Sequence, residues 1–154
     1  MHTPAHHPLR GRGGFSMPEM LVVLVIMGIA TAIIVPRLQG VAKVSSVQGA
    51  LNRVAGDLSF ARIRAIRNGA RAQVVIASDG KSYTTTVNTT TPETRTTRLG
   101  KDFPATVLSP AGGTVTFDSR GMLVTGSTAT ITATNQGRSA TVSVSGVGIV
   151  YRNY

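Results

Sequence analysis

Sixteen consecutive residues, Met20 to Val35, carry no charge and a single hydroxyl, that of Thr31. A run this apolar and this long must be covered by lipid or by other helices, because water does not tolerate so large a contiguous apolar surface. Taken as a helix from Phe15 to Pro36, the segment extends about 33 Å at 1.5 Å per residue, close to the ~30 Å hydrocarbon core of a bilayer. One carboxylate, Glu19, stands at the edge of the run and is the only charged side chain between Gly13 and Pro36. A charge at a membrane helix centre costs roughly 2.5–3.5 kcal/mol even on lenient scales, so a chain that keeps an acid there needs a partner for it.

The flanks define the segment. Residues 1–14 are polar and basic at Arg10 and Arg12, as expected of a flank that stays cytoplasmic. An ordinary secretory signal places a small-residue cleavage site after its apolar core. Here Ile33, Ile34, Val35 and Pro36 follow instead. Pro18 is tolerated in a first helical turn, where amides lack partners anyway. Pro36 is expected to kink a helix that continues through it. The apolar spacing does continue: Leu38, Val41, Val44, Val47, Leu51, Val54, Leu58, Ala61 and Ala65 recur every three or four residues, with Arg53, Asp57, Arg64 and Arg67 off that stripe. One long helix is therefore expected from about Phe15 to Asn68, apolar all round at first and amphipathic later, with Gly69 as its stop. Gly40 and Gly49 are expected to loosen its middle.

Local chemistry alone offers a modest role for Glu19. Ser16-Met17-Pro18-Glu19 has the spacing of a capping box, and Phe15 with Met20 would form a hydrophobic staple. On that reading the segment is an uncut single-pass anchor.

Several activities are excluded by composition. There is no cysteine, and all three histidines (His2, His6, His7) precede Phe15. Downstream of that point there is no Ser-His or Cys-His nucleophile pair and no ordinary zinc site. No phosphate-cradling glycine loop, nucleophile elbow or calcium loop is present. Asp57, Asp79, Glu93, Asp102 and Asp118 are scattered singly. No catalytic residue, metal or cofactor is expected. The net charge of +10 becomes +8 without residues 1–14, which suits DNA, anionic lipid or acidic partners alike.

From Ala70 the apolar period changes from helical to alternating. Strands are expected at 70–77, 82–88, 94–99, 105–109, 114–118, 122–125, 128–134, 138–145 and 148–152, with turns at Asp79-Gly80 and Asn135-Gln136-Gly137. Val115, Phe117, Ala129, Ile131, Ala133, Val142 and Val144 are expected to face inward. The threonine-rich stretch from Thr84 to Thr97 holds one large core residue, Val87, and reads as an edge or a mobile loop.

The sequence Gly14-Phe15-Ser16-Met17-Pro18-Glu19-Met20-Leu21-Val22-Val23-Leu24, with Pro36 beyond it, resembles the prepilin signature of type IV pilins and of the pseudopilins of type II secretion. Pro18 departs from the aliphatic residue commoner at its position. The second half is similar to the subgroup of type II secretion protein H pseudopilins and T-type minor fimbrial pilins. The residues that carry this likeness are Ala61-Arg62-Ile63-Arg64-Ala65-Ile66-Arg67 and Val115-Thr116-Phe117-Asp118-Ser119-Arg120-Gly121.

The resemblance implies an α+β, pilin-like fold: a long N-terminal helix, membrane-spanning in its first half, packed on a small antiparallel two-sheet β domain. It implies a leader (1–14) removed by prepilin peptidase after Gly14, N-methylation of Phe15, a transmembrane and assembly helix (15–36), an amphipathic continuation (37–69) and a periplasmic domain (70–154). Cutting turns the Phe15 nitrogen into an ammonium, and methylation keeps its charge. Glu19 of an incoming subunit then has a partner, the Phe15 amine of its neighbour. The implied role is a non-enzymatic minor pseudopilin of type II secretion, held in the inner membrane and then built into a filament with other pilin-like subunits. A minor pilin of pilus biogenesis or DNA uptake is the alternative. Some T-type relatives bind DNA through Gly-Arg-x-Arg, but here Gly146 to Arg152 holds one arginine. Arg64, Arg67 and Arg71 form the candidate basic patch, although cations near a helix C-terminus also offset its dipole.

Overall fold

The structure, a computed structural model, describes residues 15–153, without the side chains of residues 36–39. Gly14 lies outside the described residues, as does the side chain of Pro36, where a kink is expected and through which the backbone of α1 runs as helix. The elements are one helix, α1 (Met17–Asn68), and eight strands: β1 (Arg71–Ile76), β2 (Ser82–Asn88), β3 (Glu93–Arg98), β4 (Val107–Ser109), β5 (Thr114–Phe117), β6 (Ala129–Asn135), β7 (Arg138–Val144) and β8 (Val150–Asn153). The described residues form two compact units, one up to Leu38 and one from Gln39 onward.

In the larger unit the strands form two four-stranded sheets, ordered β3-β2-β1-β5 and β4-β6-β7-β8, with every pairing antiparallel. The helix stripe packs on them: Val47, Leu51, Val54, Leu58, Ala61 and Ala65 are buried with Val74, Ile76, Tyr83, Phe117, Ile131, Val142 and Val144. Alanines at 50, 61 and 65 let the helix approach the sheets closely. Val41, expected in the stripe, is exposed, so packing begins at about Val47. Period-two burial in β2, β6 and β7 puts the hydroxyls of Thr and Ser outward, except that Thr85 is buried.

The turns follow from their residues. Gly69, at φ 58, ends α1 in a Schellman motif: the Ala70 N–H donates to Ala65 O at 3.1 Å and the Gly69 N–H to Ile66 O at 3.3 Å. At Asp79-Gly80 the Lys81 N–H donates to Asp79 Oδ1 at 2.9 Å. Gln136 and Gly137 both have positive φ, the pair a type I′ hairpin turn requires.

Three expectations are corrected. Residues 122–125 are not a strand; Leu123 makes one isolated bridge to Phe117, because the turn at Asp118–Gly121 and the positive φ at Gly126 leave no room for a ladder. The Thr84–Thr97 stretch is neither wholly edge nor loop: β2 is an interior strand, and only β3 lies at the edge. Thr84 and Thr86 hydrogen-bond across to Thr96 and Thr94 at 3.2 and 3.4 Å, so hydroxyl pairs replace apolar ones on that face. Gly49 is a seat for the Phe103 ring rather than a loose point, since a Cβ there would lie 2.5 Å from a ring carbon.

Candidate assembly interface

The N-terminal unit presents the helix segment with its side chains outward. Phe15 is 74% exposed, and the large apolar side chains from Met17 to Val35 are exposed all round. The helix is long and apolar enough to cross a membrane. Thr31, the lone hydroxyl, returns its proton to Met27 O at 2.7 Å, so it places no unpaired donor in the apolar surface. Only lipid or further helices can cover a surface of this kind. Glu19 lies in the first turn, where the helix dipole favours an anion. The Ser16 N–H donates to its Oε2 at 3.4 Å, beyond the usual range for N–H···O bonds. The capping-box geometry is thus present but weak, and it leaves the carboxylate open to a stronger cation.

At the other end of α1 the three candidate arginines are not used alike. Arg64 pairs with Glu93 Oε2 at 3.3 Å and lies 5.0 Å above the Phe60 ring. That draws it towards the edge of β3. Arg67 is exposed in the last helical turn, and Arg71 is exposed at the start of β1 after the Gly69 turn. The cleft beside Arg64, about 220 Å³, is lined by Asp57, Phe60, Arg64, Glu93 and Arg95 among others, and not by Arg67 or Arg71. It is smaller than the ~300–1,000 Å³ usual for small-molecule sites. Among the described residues no cluster of three or more His, Cys, Asp or Glu is placed to hold a metal ion.

Other polar groups hold the domain together; Arg62 and Asp118 fall in the two stretches that carry the resemblance, whereas the bond between Asp57 and Tyr83 was missed in the sequence. Tyr83, fully buried, donates its hydroxyl proton to Asp57 Oδ2 at 2.6 Å, while the Arg53 Nε lies 3.6 Å from the same oxygen. Burial, and then the Asp57 carboxylate, push the Tyr83 hydroxyl well above the ordinary tyrosine range. Asp57 reads from the sequence as a solvent-facing helix residue off the apolar stripe, and no local signal pointed to its bond with a tyrosine 26 residues away. Asp118 Oδ1 accepts the N–H groups of Met122 and Arg120, each at 2.9 Å. The Met122 amide, with Arg120, holds its carboxyl below the usual range. Arg62 bridges two loops, donating to Gly121 O at 3.0 Å and Val147 O at 3.2 Å.

The described geometry is therefore that of an apolar helix with one acid and a domain braced by internal polar contacts, a plan suited to packing against other chains. Comparisons with known proteins agree. A family model described as "Type II transport protein GspH" matches residues 50–148, and one described as "Prokaryotic N-terminal methylation motif" matches residues 9–35. No match was found among curated proteins. Two crystal forms of the type IV minor pilin FimU of Pseudomonas aeruginosa (strain PAO1) share the fold. The P21 form has a TM-score of 0.58 at 20% identity, covering 70% of this chain and 88% of that one. The P65 form has a TM-score of 0.56 at 20% identity, covering 70% and 92%. With a long helix on two antiparallel sheets and a family match over most of its length, the chain belongs to the GspH family of pilin-like structural subunits.

Proposed function

We propose that the chain is a minor pseudopilin of a type II secretion system, a structural subunit rather than an enzyme. It is held in the inner membrane by residues 15–36, with its β domain in the periplasm, and passes into the pseudopilus, where it helps to start or tip the filament. Prepilin peptidase removes residues 1–14 after Gly14, and Phe15 is N-methylated. Until then the Phe15 nitrogen is a neutral amide. Afterwards it is an ammonium, and Glu19 of the next subunit pairs with it among parallel helices. In that low-dielectric setting either charge alone is costly and the pair fixes axial register. Cutting acts as the switch for assembly.

The observation that carries this reading is the exposed apolar first half of α1, with one carboxylate whose hydrogen bond among the described residues is a long contact to Ser16. Removing one partner of a buried ion pair costs roughly 3–5 kcal/mol. Glu19→Ala is therefore expected to reach the membrane and be cut normally yet to enter filaments at least tenfold less. Equal entry of the variant and the parent chain would remove the pairing role.

The likeness to a type IV minor pilin favours a second reading, a minor pilin of a pilus machine. Co-purification with secretion or with pilus subunits separates the two. DNA uptake in particular requires DNA binding that falls steeply with salt and depends on Arg67 and Arg71. Arg64 is already engaged by Glu93.

A further inference from the structure

The two sheets have four edge strands, and three of them are guarded against pairing. β3 carries Glu93, Arg95 and Arg98; β4 has three residues and Pro110 follows it; β5 has four, and beside it the Val124 N–H donates to Thr116 O at 2.9 Å. Charge, shortness and proline are the devices that keep an edge from recruiting another chain. β8 lacks them. It pairs with β7 on one side, and an antiparallel ladder then leaves alternate N–H and C=O groups pointing outward on the other. Tyr151 on this strand and Val147 and Ile149 in the turn before it are 52%, 55% and 44% exposed, a concentration of large apolar side chains at one edge.

The strand's one cation does not guard it. Arg152 is turned to the helix, where its Nη1 donates to Asn52 Oδ1 at 3.0 Å. Between β8 and α1 lies a cleft of about 140 Å³ lined by Asn52, Ala55, Gly56, Ser59, Val150 and Arg152. Arg152 is the sole charged side chain among these, and a guanidinium has five donors to offer.

We propose that the free edge of β8 accepts an extended strand from a neighbouring filament subunit of different sequence, one that alternates apolar residues with at least one carboxylate. This rests on the reading of the chain as a filament subunit. The outward backbone groups are matched only by another extended backbone, the exposed Val147, Ile149 and Tyr151 by apolar side chains, and Arg152 by an acid. A second copy of this chain fits poorly. Each chain carries a strong net positive charge and offers an arginine, not an acid, on this strand.

The test is backbone hydrogen exchange at residues 150–153 of the full chain, alone in detergent and within filaments built with the other subunits. Alternate amides are expected to exchange at least tenfold more slowly in filaments. Arg152→Glu, and Tyr151→Lys on the outer face of the sheet, are expected to lose that protection, while Arg152→Lys keeps it. Entry into filaments without added protection, or protection that survives Arg152→Glu, overturns the proposal and leaves the function intact. Protection that rises with concentration in the purified chain points to a second copy and also overturns it. Failure of the parent chain to enter filaments overturns the function and this inference together.

Discussion

At residue scale the molecule separates groups that hold the domain from groups left open to partners. Gly121 belongs to the first kind. It has φ 78, and a Cβ there would lie 2.6 Å from the Ile66 side chain and 3.1 Å from that of Arg62. Gly126 has φ 66 with nothing within 4 Å. Both alanine substitutions incur the left-handed backbone penalty of about 1–2 kcal/mol, and Gly121→Ala adds an overpacking cost of about 1–3 kcal/mol. Urea unfolding should show Gly121→Ala clearly the less stable of the two. The titrating groups predict stability at both ends of the pH scale. The folded pKa of Tyr83 is raised, so its contribution is present below the ordinary tyrosine pKa of about 10 and is lost as pH rises beyond it. Asp118 is shifted the other way, from about 3.8 downward, so its contribution is present at neutral pH and is lost as pH falls through the acid range. Urea midpoints measured across pH should therefore fall at both ends, with Tyr83→Phe flattening the alkaline limb and Asp118→Asn the acid one. Glu19 is of the second kind: its contact to Ser16 is long, and on the proposed function its stronger partner lies in another subunit.

At the scale of elements, α1 serves two environments with one period. Its second half meets the sheets through a stripe in which Leu58 is fully buried. Leu58→Ala is expected to cost about 2–5 kcal/mol, read as a lowered urea midpoint, while Ile63→Ala on the exposed face should change it little. The helix, its Gly69 stop, both hairpin turns and the inward residues of β5, β6 and β7 were legible because each is dictated locally, by period or by a glycine. Ala129 is only partly buried, at the end of its strand. What was not legible depended on contacts distant in sequence. The Asp57–Tyr83 bond spans 26 residues, Arg62 reaches Val147 across 85, and the Gly49 seat exists only because the loop carrying Phe103 returns to the helix. Residues 122–125 alternate like a strand, but the turn at Asp118–Gly121 and the positive φ of Gly126 hold them to one bridge beside β5.

At the scale of the whole molecule, an apolar segment with a single acid and a braced, basic β domain describe a part made for a larger assembly. Family membership and fold establish the kind of part. On the proposed function, the step from precursor to subunit rests on a covalent change at the N-terminus, since Glu19 would meet a cation there once Phe15 carries a free amine. That makes the N-terminus the place to look. Intact mass spectrometry of the chain recovered from membranes and filaments, with sequencing of its first peptide, should find a chain that begins at Phe15 and carries one methyl group on its nitrogen. A chain in filaments that still begins at Met1 would contradict the account.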